Sequence, residues 1–417
     1  MLNVDPSQDP LPPDVLSMLQ YRTLNTPLLP SLTAFVCREA TAAFTPFIPL
    51  FLSPRVTIID IRFAGPTPSV MIASMIATFS MLCPDLLEIT LRHLPTDRVI
   101  VATVSNMLLA CNPNALRKFE VDSPLTYAAR DILYQLPNLR ELSSVLSGNT
   151  PLPPAVLPNL VEMHIMYLHS HEWLRRFDGT TLDKLTSVLF YTTSLQVGDF
   201  LEAFESFALA TSISTKLSTF KSYSRHPWSP NYSSLLGFKQ LTELAILTPY
   251  HVGCSSTIDD DTIINLARAM PKLKVLCLGS DPCRTPTGVT IKGLVELACH
   301  CIDLSTLRVH IRVDSLVQVA IDDVATSPSN AEPAAPRVEC ALTTLEVGNT
   351  TIREGSALTV ALALLHIFPC ISAIKYTNSH WENVQNIVKL SEQLSNRIGA
   401  LARFSSKAYP QRLEMAY

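Results

Sequence analysis

Histidine and cysteine are the residues with which this chain could do chemistry, and their spacing argues against a built centre. His171-Glu172 opens in the manner of a helical zinc-protease motif, which needs a second histidine four residues after the first; that position is Arg175. His164, His169, His171 and Glu172 crowd one stretch, with His169 and His171 on one side of an extended segment. A metal centre needs three or four converging ligands, so the stretch reads as a solvated loop or a partner-contact patch. Cys277, Cys283, Cys299 and Cys301 contain no C-x-x-C pair, and scattered structural thiols are the reading that follows. Asp259, Asp260 and Asp261 lack a calcium loop around them and instead suit the charged start of a helix. With 12 glycines, no two are spaced for a dinucleotide or phosphate loop, and no G-x-S-x-G elbow occurs. No catalytic, cofactor-binding or metal-binding residue is assigned. The expectation is a protein that is not an enzyme and carries no cofactor.

The elements that would position side chains follow from a motif of the form LxxLxL, with other apolar residues replacing Leu. Strong copies begin at Leu86, Leu160, Leu185, Leu241, Leu273, Leu304 and Leu342, and weaker ones at Leu32, Val56, Leu116, Leu139, Leu217 and Ile371. The mean spacing is about 28 residues, inside the range of leucine-rich repeats. The last two apolar positions of each copy are two apart and face one side of a short strand. Between copies, Val99–Ala110, Leu125–Leu136, Gly198–Ala210, Ile258–Met270 and Gly288–Cys299 space their apolar residues as helices do. Pro30, Pro84, Pro137, Pro158, Pro271 and Pro369 each stand two residues before a copy, where proline ends a helix and favours extended chain. Cys83 and Cys301 both fall three before the motif Leu, a place for a small buried side chain.

The fold class expected is therefore α/β: a leucine-rich-repeat solenoid of about 12–13 irregular repeats. It would have a curved parallel β-sheet on the concave face and mostly helices on the convex face. Residues 1–30 form a lead-in and 31–380 the solenoid. A Pro/Ala/Ser stretch, Thr326–Pro336, predicts a mobile loop at about 325–338. A helix over 381–402, with Val384, Ile387, Val388, Leu394, Ile398 and Leu401 apolar, is expected to cap the last repeat. Residues 403–417 are expected to fray.

Composition points the same way. Apolar residues make up 47% and charged residues 16%, and the net charge is only -4, so neither nucleic acid nor an anionic membrane is expected as the partner. The most apolar windows, Val70–Leu82 and Ala357–Phe368, fall short of the roughly 20 residues a membrane span requires and read as buried helices. The first residues, acidic and proline-rich, do not resemble a secretion signal. Ten cysteines then suggest reduced thiols and a cytoplasmic or nuclear location, with the sequons at Asn231 and Asn349 silent.

The segment Leu28–Phe35 followed by Phe47–Pro54 resembles the entry into the repeats of fungal F-box/leucine-rich-repeat proteins of the basidiomycete type. Thr290–Leu307 is similar to the cysteine-containing repeat of F-box receptors. The resemblance implies the substrate-receptor part of an SCF-type ubiquitin ligase component, in which the F-box holds the Skp adaptor, and through it a cullin, while the repeats hold a protein substrate. The chain departs from the family at its front. An F-box is a helical module, and Leu11–Leu19 has the look of its opening line alone. Binding of Skp adaptor and cullin is expected only where an F-box is restored. A ligase-independent scaffold or inhibitor that binds a protein partner stays open as the alternative.

A partner is expected on the concave face, carried by residues between and just after the paired motif positions, and on the loops that leave the strands. These are Arg92, Glu120, His164, Met166, Tyr191, Lys221, Tyr223, Arg308 and His310, with Trp173, Arg225 and Trp228 on the exit loops; the alternative for Trp173 and Trp228 is that they fold back to cover repeat edges. Trp, Tyr and Arg dominate binding energy when an interface buries them.

Overall fold

In a computed structural model the described residues are 1–4, 14, 15, 17, 18, 27–145, 157–168, 182–192, 197–210, 213–224, 232–247, 258–279, 288–313, 340–348, 350–353 and 355–408. The Thr326–Pro336 stretch and most of the Leu11–Leu19 line lie outside them. The chain divides into two units, Met1–His226 and Pro227–Tyr417.

In the first unit the described strands are β1 (Leu2–Val4), β2 (Ala34–Ala40), β3 (Ile58–Phe63), β4 (Glu88–Arg92), β5 (Lys118–Pro124), β6 (Glu141–Val145), β7 (Glu162–Leu168), β8 (Ser187–Thr192) and β9 (Thr219–Ser224). Each pairs in parallel with the next in chain order. Helices α1 (Ser69–Leu82), α2 (Arg98–Ala110), α3 (Tyr127–Leu133) and α4 (Val197–Ala210) lie between strands in sequence. A 3-10 segment, Thr45–Phe51, packs against α1, α1 against α2, and α2 against α3. The second unit repeats the plan with β10 (Glu243–Leu247), α5 (Asp260–Ala269), β11 (Val275–Gly279), α6 (Ile291–His300), β12 (Thr306–Arg308), β13 (Thr344–Gly348), α7 (Ala357–Ile367), β14 (Ala373–Tyr376) and α8 (Trp381–Ala408). Its strands also run parallel in chain order.

The motif residues make the core. Ile89, Leu91, Phe119, Val121, Met163, Ile165, Val188, Phe190, Leu244, Ile246, Leu276, Leu278, Leu307 and Leu345 are all buried. Between the first and second motif residues a hydrogen-bond device recurs. The carbonyl of Thr57 accepts from the amides of Leu87 (2.7 Å) and Glu88 (3.1 Å), and Leu87 in turn accepts from Arg117 and Lys118. The series continues through Arg117, Arg140, Val161 and Thr186, and in the second unit through Thr242, Lys274, Ser305 and Thr343. Where this position is Ser or Thr, its hydroxyl reaches the equivalent carbonyl one repeat back, as from Ser218 to Thr186 (3.0 Å) and Thr343 to Ser305 (3.1 Å). Two repeats cannot slide past one another without breaking these shared carbonyls, so register is held at every step.

The helix exits obey the proline rule. Met270 ends α5 with its amide on Leu266, and its carbonyl accepts from Leu273, 3.2 Å away. Pro271 is thus the second residue of a β-turn, where its fixed φ fits and a missing N–H costs nothing. The same closure joins Leu157 to Leu160 and Phe368 to Ile371. Cys83 and Cys301 are buried at the turns, and the Cys301 thiol lies 3.5 Å from the carbonyl of Met270.

Several expectations change. Strand β1 lies within the lead-in and pairs with β2. The segments expected as Leu125–Leu136 and Gly288–Cys299 are helical only over Tyr127–Leu133 and Ile291–His300. The windows expected as buried helices bury one face: Val70 and Met81 of α1 and Leu358 and Leu362 of α7 are exposed. A helix laid on one side of a sheet needs only a stripe for its core contacts. Helix α8 runs on to Ala408, past the expected end near 402. It packs on α7 and β14, with Trp381, Val384 and Val388 buried, whereas Leu394 is exposed; the side chains of Ile398 and Leu401 lie outside the described residues. Gln385 of α8 closes the last strand, accepting from the Ile374 amide and donating to the Ser372 carbonyl (3.2 Å). An unpaired strand edge is thereby satisfied. Among the described residues no helix is long and apolar enough to cross a membrane.

Candidate functional site

Alternation along each strand leaves one side of the sheet without core duty, and register assembles that side into rows. In the first unit one row runs Asp60, Thr90, Glu120, Ser143, His164, Leu189, Lys221. The row beside it runs Ile58, Glu88, Lys118, Glu141, Glu162, Ser187, Thr219. Beyond the first row, Arg62 pairs with Arg92, Val145 with Met166, and Tyr191 with Tyr223.

Charges meet where β3 to β7 run side by side. Arg92 Nε donates to Glu120 Oε1 at 2.7 Å, and Lys118 Nζ lies 2.6 Å from Glu141 Oε2 and 3.8 Å from Glu120 Oε2. The hydrogen bond to Glu120 raises the Arg92 pKa. For Lys118 burial opposes the charge, yet Glu141, Glu120 and Glu88 together raise its pKa. Asp60 is pushed up chiefly by burial, against the pull of Arg92. Burial likewise raises Asp122, whose carboxylate holds the exit of β4 by accepting from the amides of His93 and Leu94 (3.0 Å to Leu94). His93 sits there at φ 61°, a left-handed conformation that a side chain adopts only when it is held.

A shallow depression opens between these rows, lined by Lys118, Glu120, Glu141, Ser143, Glu162 and His164. Desolvation lowers the His164 pKa against the attraction of Glu162 and Glu120, so the imidazole is neutral near pH 7. Two strands further along, the rings of Tyr191 and Tyr223 stack with centroids 4.9 Å apart and planes 13° from parallel. Tyr191 is 41% exposed. Behind them Phe190, Phe204 and Phe220 fill the core, Phe204 and Phe220 at 4.6 Å, and fix the strands that carry the two tyrosines.

In the second unit the corresponding row is Ala245, Cys277, Arg308, Glu346, Lys375. Glu346 accepts from Lys375 at 2.6 Å and has Arg308 at 3.8 Å.

The expected residues divide as follows. Arg92, Glu120, His164, Met166, Tyr191, Lys221 and Tyr223 share the open face of the first unit, and Arg308 lies on that of the second. His310 departs from expectation: it is 8% exposed. Its ring packs over Gly279, where a Cβ would lie 3.4 Å away, and the φ of 105° at that position is what favours glycine. Trp173, Arg225 and Trp228 lie outside the described residues. Sequence reasoning passed over Ser143, which lies between the paired positions Leu142 and Ser144, and missed Lys118, Glu141 and Glu162. It counted side chains between and after the paired motif residues, yet the same alternation presents the residue just before them, where Glu88, Lys118, Glu141 and Glu162 stand.

The arrangement offers paired charges, a stacked aromatic shelf and a neutral imidazole spread over neighbouring strands. Among the described residues no group of three or more His, Cys, Asp or Glu is placed to hold a metal ion. Compared with models of protein families and with curated proteins, the chain matches none.

Proposed function

We propose that the chain is a leucine-rich-repeat recognition protein that holds a protein partner on its open strand face and performs no catalysis. One observation carries this reading: successive parallel strands present seven residues in one uninterrupted row, from Asp60 to Lys221, that the core does not need. Side chains on a rigid ladder bind with little ordering cost. The mixture of carboxylates, cations and tyrosines suits a protein surface. On the resemblance of its repeats, we assign it to the substrate-receptor part of an SCF-type ubiquitin ligase component, acting in the cytoplasm or nucleus. A ligase-independent scaffold binding the same kind of partner differs only in what accompanies it.

The test is site-specific photocrosslinking in cells. A crosslinker at Tyr191 on the open face should trap a discrete protein, and one at Val70 on the exposed side of α1 should not. Capture at position 70 but not 191 would overturn the reading of the face. Skp adaptor and cullin in the same purification support the ligase assignment; a stoichiometric partner without them makes the chain a scaffold.

A further inference from the structure

The depression on the first unit is electrostatically incomplete. Across the adjacent strands β6 and β7, Glu141 stands directly beside Glu162, one strand spacing of about 4.8 Å away. Like charges so placed repel. Lys118 neutralises Glu141 and Arg92 neutralises Glu120, while Glu162 has no ion-pair partner among the described residues. The floor supplies an independent sign. Ser143 is 8% exposed and lines the depression, yet its hydroxyl has no hydrogen-bond partner among the described residues. Its oxygen still meets the depression, where it can accept a hydrogen bond from an incoming donor. The neutral His164 imidazole beside it adds an acceptor and no competing positive charge.

From this geometry we infer that the depression receives one basic side chain, an arginine or lysine on an extended segment of the partner protein, with its cation between Glu162 and Ser143. The inference rests on the recognition reading above and names what the face recognises. A guanidinium or ammonium donates to the Glu162 carboxylate and the Ser143 hydroxyl together, and relieves the repulsion between Glu141 and Glu162. The Tyr191–Tyr223 stack lies two strand spacings across, about 10 Å, and about three residues farther along the strands, so roughly 14 Å away, which an extended chain spans in about four residues. The segment therefore carries its basic residue about four positions from an apolar or aromatic one that covers the tyrosines.

The experiment is a peptide-display selection on the full chain, followed by fluorescence anisotropy of the selected peptides at fixed salt. Wild type should select peptides with Arg or Lys about four residues from an apolar residue. Glu162→Gln and Ser143→Val, each shown folded by its melting curve, should weaken those peptides at least tenfold for the glutamate and several-fold for the serine. Glu202→Gln, an exposed acid of α4, should leave affinity unchanged. Selected peptides without a basic residue, or bound equally by wild type and Glu162→Gln, overturn the cation site and leave recognition standing. Equal weakening by Glu202→Gln also overturns it, because the attraction is then only general. A selection that enriches nothing removes both the recognition reading and this inference.

Discussion

A carboxylate that leaves its own helix to hold the next one gives the sharpest energetic test of how neighbouring repeats are joined. Asp259 caps α5 locally, its Oδ1 accepting from the Thr262 amide at 2.8 Å. Asp260, one residue on, turns to α6: Oδ1 accepts from the amides of Thr290 (2.7 Å) and Gly293 (3.2 Å), and Oδ2 from the Thr290 hydroxyl (2.6 Å). A Cβ on Gly293 would stand 2.6 Å from that Oδ1. Asp260→Ala strips three charge-assisted hydrogen bonds. At about 1.5–3 kcal/mol each, discounted because freed amides partly regain water, the loss should be about 3 kcal/mol. Gly293→Ala ordinarily gains up to about 1 kcal/mol in a helix. Here the methyl expels the carboxylate, so the substitution should cost about 1–2 kcal/mol. In the Asp260→Ala background the obstacle is gone and Gly293→Ala should stabilise, so its effect reverses sign. Urea-unfolding midpoints for the four proteins of this cycle measure it. A coupling of about 2 kcal/mol or more is expected; additivity within about 0.5 kcal/mol would refute the clamp.

Leu244 and Leu276 are fully buried, so Leu244→Asp or Leu276→Asp places an unpaired carboxylate in the core and should cost more than about 4 kcal/mol; a wild-type melting curve would show the register to be wrong. The Ser222 hydroxyl is buried without a hydrogen-bond partner at an inward motif position, so Ser222→Ala should stabilise the protein by about 1 kcal/mol in urea unfolding, and a loss would reveal a partner for that hydroxyl. Because burial lowers the His164 pKa below 6.5, the unfolded chain takes up a proton there before the folded one does. The stability difference between wild type and His164→Gln should therefore move against wild type as pH falls from about 7.5 through 6.5 towards the folded-state value; a difference that stays flat would refute the desolvation.

The strands, the buried motif residues and the turns before them were legible because each rests on contacts made within one repeat. A leucine at a fixed offset, or a proline two residues ahead of it, has the same neighbours each time the pattern returns. Except for α8, which runs on to Ala408, the helices were legible to within about three residues, the uncertainty of boundaries read from sequence, as at Tyr127–Leu133. Their exposed faces were less so, because apolar windows such as that of α7 carry more hydrophobic residues than their one packed face requires.

The linear sequence therefore determined the parallel α/β plan and which residue of each strand would face the core, since both follow from periods of about 28 and 2 residues. Tertiary structure alone decided what lies next to what across repeats. Glu141 stands beside Glu162 and Lys118, and Asp260 reaches Gly293, only because shared carbonyls fix each strand against the one before. The depression around Ser143 comes from that lateral register. No single repeat contains it, because its walls come from three strands whose side chains meet at the roughly 4.8 Å spacing of a sheet.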